Sequence, residues 1–439
     1  MNVADRRIGL EQEFFLVDEA GVLSDRADEV LQRCQLIAET EGYNPACFAP
    51  EWVKGIVEIN TPPAHTIKEL ADAYLSHLAI ALEAGKVLGL KLYPLSSYPL
   101  PVMPAMRDQL WYQVQVRTVG YERFLHAGRC TGTHLHLDLP QGTIDRRVGV
   151  SYTASREARS ELLNIYNLAT ALDAALIALS RACPFYEGKA TGLAARTVFY
   201  RGGDRFGWDG VYTKLQPVGG LQPYAEDIET LVEQQFSRYY AWLEAMDQAG
   251  VERHLFQAPG GGLLKAAWNP VRLNKIGTVE LRQTDSNYPE VILAIATLVY
   301  NAADRVRQEN LTVTPVAGVQ RFELDGNRLL VPEFHYLSGD LLSAAASEGI
   351  SNAQVSGYVD SIRQFAIQEE SEGQEYLQTF SQDFSHYQST ETAIRKEFST
   401  PTGQISQEDG LRLVRESCDK LAAQLATLSD QRPVMQFSH

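Results

Sequence analysis

Residues 7–17, RIGLEQEFFLV, read as a β-strand in which Glu11 and Glu13 stand two apart within an otherwise apolar run. Side chains two apart on a strand share a face. The two carboxylates are therefore expected side by side, although paired acids inside an apolar strand gain nothing structurally. Three further segments repeat the half-polar pattern. In GIVEINT, residues 55–61, Val57, Ile59 and Thr61 alternate with Glu58 and Asn60, and Pro62-Pro63 ends the strand because proline cannot donate to a ladder. In TGTHLHLDLP, residues 131–140, Leu135, Leu137 and Leu139 point one way and His134, His136 and Asp138 the other. In TVELRQT, residues 278–284, Glu280 and Arg282 share a face.

Amphipathic or apolar helical spacing separates these strands. Helices are expected at about 25–41, 67–88, 155–182, 227–249, 289–307 and 407–429, the third as one long helix buried against a sheet. Half-polar strands between long helices give an α+β class, with an antiparallel or mixed sheet open on one face. Beyond Gln364 the composition turns to Gln, Ser, Glu and Thr. The expected division is a catalytic domain over 1–364, with 365–439 forming a polar, loosely packed segment and a last helix on the same domain.

The 439 residues hold 39 Lys+Arg against 55 Asp+Glu, a net charge of −16, which argues against nucleic acid or an anionic membrane as a partner. The five cysteines Cys34, Cys47, Cys130, Cys183 and Cys418 are odd in number and form no CxxC pair, so neither a disulfide scaffold nor structural zinc is expected. Cys183 reads as a small buried hydrophobe. No run approaches the roughly 18 apolar residues of a membrane span, and a cytoplasmic location is expected.

There is no GxxxxGK[ST], HExxH, GxSxG or helix-opening GxGxxG. Four strands with ionisable faces instead suggest one shared floor. Carboxylates gathered on one surface repel unless cations neutralise them, and oxygen ligands with an occasional imidazole suit Mg²⁺ or Mn²⁺ held against ATP phosphates.

The run GLEQEFFLVD at 9–18 resembles the opening of the glutamate-cysteine ligase type 2 family of ATP-dependent carboxylate-amine ligases. VEINTPP at 57–63, GTHLHLDL at 132–139, ALSRACPFYEGKATGLAAR at 178–196 and TVELRQTDS at 278–286 continue the match in order. The resemblance implies a glutamine synthetase/guanidino kinase-like catalytic domain, a curved, largely antiparallel sheet backed by helices. It implies Glu11, Glu13, Glu58, His134 and Glu280 as metal ligands. Arg282, with Glu280, is placed for catalysis and for phosphate or a substrate carboxylate. Lys189 and Arg196, in a glycine-rich loop, are expected at the nucleotide, as is His136, which could equally orient His134; Arg201 reads as a surface cation of that loop.

The implied reaction phosphorylates a carboxylate, that of glutamate, with ATP, and an amine, that of cysteine, then displaces phosphate. The loop departs from the family pattern where Ala190 replaces an acid and Ala195 a serine. A related ligase with another acid or amine, a weakly active binding or regulatory homologue, and a guanidino kinase-like transferase remain alternatives. The choice of amine, the choice between Mg²⁺ and Mn²⁺, and a homo-oligomeric state stay open.

Overall fold

The computed structural model describes residues 6–380, 384, 387–398 and 402–430. Its centre is a seven-stranded antiparallel sheet: β1 (Ile8–Asp18), β2 (Phe48–Pro50), β3 (Ile56–Asn60), β4 (Leu90–Tyr93), β5 (Gly132–Asp138), β6 (Val271–Asn274) and β7 (Thr278–Asp285). The strands run β6-β7-β5-β1-β3-β2, with β4 pairing the far end of β1. The alternation expected of 7–17 holds along β1. Leu10, Gln12, Phe14 and Leu16 face the core, and Glu11 and Glu13 face the other way. Each fully buried large apolar side chain contributes about 1.5–3 kcal/mol. The buried Gln12 is tolerated because its amide nitrogen donates to Ser286 Oγ at 2.9 Å and to Asn287 O at 2.7 Å.

The helices include α1 (Ala27–Glu41), α2 (Ile67–Val87), α3 (Leu110–Val119), α4 (Arg156–Ala171), α5 (Asp173–Ser180), α6 (Ala195–Arg201), α7 (Ile228–Gln248), α8 (Pro289–Gln308), α9 (Thr390–Glu397) and α10 (Gln407–Asp430); a further helix spans Ala353–Ala366, and shorter helical turns lie between. Thr66 caps α2 by accepting from Glu69 N, and Ser155 caps α4 by accepting from Ala158 N. Helix α2 packs on β1, β3 and β4, α5 on β7, and α8 on β5, so one face of the sheet is backed by helices. The result is the α+β, antiparallel architecture expected.

Three expectations about the fold are corrected. The single helix over 155–182 is two, α4 and α5, bent by 45° at Leu172. The continuous apolar pattern hides the break. Asp173 opens α5 fully buried, and the Arg201 guanidinium grips it, with Nη1 to Oδ2 at 2.7 Å. Arg201 is thus a buried structural partner and not a surface cation. The polar segment is also more ordered than its composition suggested. Leu377, Phe380 and Phe384 are buried, α9 forms, and α10 packs on β4 and α2. Residues 381–383, 385–386 and 399–401 of that segment lie outside the described residues. Among the described residues no single helix is long and apolar enough to cross a membrane; the bent pair α4–α5 passes such a test only as a pair.

Candidate active site

Strand register brings the polar faces together. Glu11 on β1 lies between His134 of β5 and Asn60 of β3; Glu13 pairs with Glu58; and Glu280 on β7 lies between His136 of β5 and Arg272 of β6. Above this floor is a cavity of about 430 Å³, walled by Trp52, Trp111, Tyr112 and Trp268 and rimmed by Lys265 and Lys275.

Two sets of potential ligands converge. Atoms of Glu11, His136 and Glu280 lie within 4.8 Å of one another, as do those of Glu13, Glu51 and Glu58. His136 Nδ1 is 3.0 Å from Thr278 Oγ1, while its Nε2 lies 3.0 Å from Glu11 Oε1 without hydrogen-bond alignment and has no other partner. An imidazole nitrogen and a carboxylate oxygen that face each other this way suit a shared cation. The all-carboxylate second set suits a hard divalent ion. Both sets therefore fit Mg²⁺ or Mn²⁺.

His134 is placed differently. Its Nδ1 lies 3.1 Å from Glu11 Oε2 and 4.0 Å from Glu280 Oε1, and its Nε2 lies 3.1 Å from Arg196 Nη2. These contacts are satisfied when Nδ1–H donates to Glu11 and Nε2 accepts from Arg196. Burial, then the neighbouring Arg282, pushes His134 down to about 3, so the ring is neutral. Burial opposes a charge on His136 too, but Glu280 and Glu11 outweigh it and raise its pKa.

Arg282 Nη1 donates to Glu280 Oε1, and Arg272 holds the same carboxylate with Nε to Oε2 at 2.7 Å and Nη2 to Oε1 at 2.9 Å. Against burial, these two guanidinium groups hold Glu280 well below the usual carboxylate range. Arg196 is buried yet pairs with no carboxylate within 4.0 Å among the described residues; it donates to Arg282 O at 3.2 Å and lies 4.0 Å over the Tyr200 ring. A buried cation in that position calls for an anion. Lys189 is not brought here. It sits exposed on the hairpin that turns at Glu187-Gly188, beside a separate cavity walled by Tyr98, Leu100 and Ile405.

Sequence reasoning missed three residues. Arg272 and Asn274 carried a signal, since VRLN at 271–274 alternates as a strand, and Asn274 Nδ2 donates to Glu280 Oε2 at 2.5 Å. Glu51 carried none. It lies in a bend after β2, and only the fold sets it beside Glu13 and Glu58.

Burial, then mutual repulsion, raises Glu13 to about 7 and both Glu51 and Glu58 to about 8. Carboxyls raised above their ordinary value contribute stability that is present below about pH 4.5 and lost as pH rises through about 7–8. Metal-stripped protein is therefore expected to melt at progressively lower temperature from about pH 5 to about pH 8 and to level off above that, and millimolar Mn²⁺ to restore the loss at the alkaline end. Calorimetry at several pH values checks this; a flat profile without metal would contradict it.

The open antiparallel sheet thus carries an acidic floor braced by the Arg272 and Arg282 guanidinium groups. The family model described as Glutamate-cysteine ligase family 2 (GCS2) matches residues 7–339, and the chain belongs to that family. Among solved structures, a bifunctional glutathione synthetase from Pasteurella multocida is similar, with a TM-score of 0.56 and 15% identity over 96% of this chain and 53% of that one. The chain thus spans about half the length of that relative. A glutamate–cysteine ligase from Francisella tularensis in complex with AMP gives a TM-score of 0.48 and 11% identity, over 98% of this chain and 95% of that one. No curated protein sequence matches the chain.

Proposed function

We propose that this protein is an ATP-dependent, ADP-forming ligase that joins a carboxylate, that of glutamate, to an amine, that of cysteine, through an acyl phosphate. The observation that carries this reading is the pair of ligand sets on one floor beside Arg196 and Arg282, in a cavity lined by no serine or cysteine among the described residues. Phosphoryl transfer needs positioning and charge neutralisation more than a protein nucleophile.

In this reading Glu11, His136 and Glu280 hold one divalent ion and Glu13, Glu51 and Glu58 another. His134 links Glu11 to Arg196 and adjoins the first set. Bound there, Mg²⁺ or Mn²⁺ neutralises phosphate charge. Arg282 and Arg196 hold oxygens of the transferred phosphoryl group. A carboxylate oxygen of the acid attacks the γ-phosphorus, and ADP leaves. The amine then attacks the acyl carbon, losing a proton as the acyl–oxygen bond breaks and phosphate departs. The aromatic walls limit water that would hydrolyse the acyl phosphate. Such chemistry, dependent on ATP and on reduced thiol, belongs in the cytoplasm.

The test is ADP release by purified protein with ATP and Mg²⁺, first with single amino acids and then with glutamate paired with each candidate amine, product masses being read in parallel. ADP that requires glutamate plus cysteine, with a product of their summed mass less water, is the expected result. ADP with another pair keeps the ligase chemistry and reassigns its substrates. No turnover with any acid and amine would overturn the reading.

A further inference from the structure

The family match ends at residue 339, yet the chain beyond it reaches back to the loop that presents Arg196. Arg181, at the end of α5, is buried, and its only carboxylate partner among the described residues is Glu391, itself fully buried at the start of α9. Arg181 Nη2 donates to Glu391 Oε2 at 2.8 Å and to Gly192 O at 2.7 Å, and its Nη1 donates to Ala346 O at 2.7 Å. Ala346 O also accepts from Ala194 N at 3.0 Å, immediately before α6. Glu391 N donates to Arg181 O at 3.1 Å, and Thr390 Oγ1 to Asn287 Oδ1 at 2.8 Å. Gly192 has φ +64°, and a Cβ there would lie 2.6 Å from Arg395 Nη1, whose own Nε is 2.7 Å from Glu391 Oε1.

A buried guanidinium loses its hold on shared acceptors when its anion is removed, because it must find another or reach water. We propose that Glu391 is a positioning residue for the ligase reaction. Acting through Arg181, it fixes the Gly192 and Ala346 carbonyls, hence the start of α6, and hence the Arg196 guanidinium over the carboxylate floor. The inference rests on the proposed function for its catalytic consequence, but the link from Glu391 to α6 can be read without turnover.

The test uses the full chain with Glu391→Gln, Glu391→Asp and Arg395→Ala, and reads amide hydrogen exchange at residues 192–196, Mn²⁺ affinity, and the kcat and KM of ADP formation. Glu391→Gln is expected to speed exchange at those amides and to lower kcat by on the order of 10- to 100-fold, a misplacement effect, while KM for ATP stays within about twofold. Mn²⁺ affinity is expected to be unchanged, and Glu391→Asp to recover most of the rate. If Glu391→Gln fails to fold, Arg395→Ala decides, with the same pattern at a few-fold amplitude expected. A folded variant with wild-type exchange at 192–196, or with faster exchange and wild-type kcat, would overturn the proposal. Inactive wild-type protein would instead count against the proposed function, and exchange alone would then decide the link to α6.

Discussion

Replacing Glu11 by Gln is expected to lower ADP formation by about a thousandfold or more while the fold stays intact. Among the described residues Glu11 is the one carboxylate that touches both imidazoles, Oε2 facing His134 and Oε1 facing His136. Burial opposes its charge, but the two neighbouring imidazoles hold it far below the ordinary carboxylate range, so it is ionised at any working pH. The amide is the same size but removes the charge that a divalent ion needs. Steady-state kinetics at saturating Mg²⁺, with circular dichroism as a check on folding, measure the effect. A near wild-type rate would show that the first ligand set is not used.

The largest expected loss of stability follows from Asp285→Ala. Asp285 is fully buried at the end of β7 and accepts from Arg196 N at 2.7 Å, Ala182 N at 3.1 Å, Ala195 N at 3.2 Å and Ser96 Oγ at 3.1 Å. One side chain thus joins the sheet, the end of α5 and the start of α6. Removing it strands three backbone N–H groups and a hydroxyl in the interior. Each stranded donor costs about 1–3 kcal/mol, and partial relaxation brings the expected total to about 3–5 kcal/mol. Urea unfolding should show the midpoint falling accordingly. Asp285→Asn should lie between, since its amide keeps one acceptor oxygen but turns a donor toward donors. A change below about 1 kcal/mol for the alanine variant would mean that this junction is held elsewhere.

The floor was legible in the sequence because strands have a period of two. Once Glu11 and Glu13, Glu58 and Asn60, His134 and His136, and Glu280 and Arg282 are placed on strands, adjacency of those strands suffices to bring them together. The registers Glu11 to His134 and Glu13 to Glu58 are the outcome. What the sequence did not carry lies off the strands. Glu51 reaches the floor from a bend with no periodicity to mark it. The break at Leu172 is hidden by an apolar run and stabilised by Arg201, 28 residues from Asp173. Arg196 and Lys189 share a loop, but Asp285 pins the helix carrying the first, while the second lies on a hairpin that turns outward. The polar composition of 365–404 concealed Glu391, whose burial makes sense only opposite Arg181.

Titration of the metal-free protein with Mn²⁺, followed calorimetrically, bears most directly on the two-ion floor. Two sites per chain are expected, one for each ligand set, with Glu51→Gln abolishing one and leaving the other at wild-type affinity. Absence of binding in the wild type, or a Glu51→Gln variant that still binds two ions, would contradict the assignment.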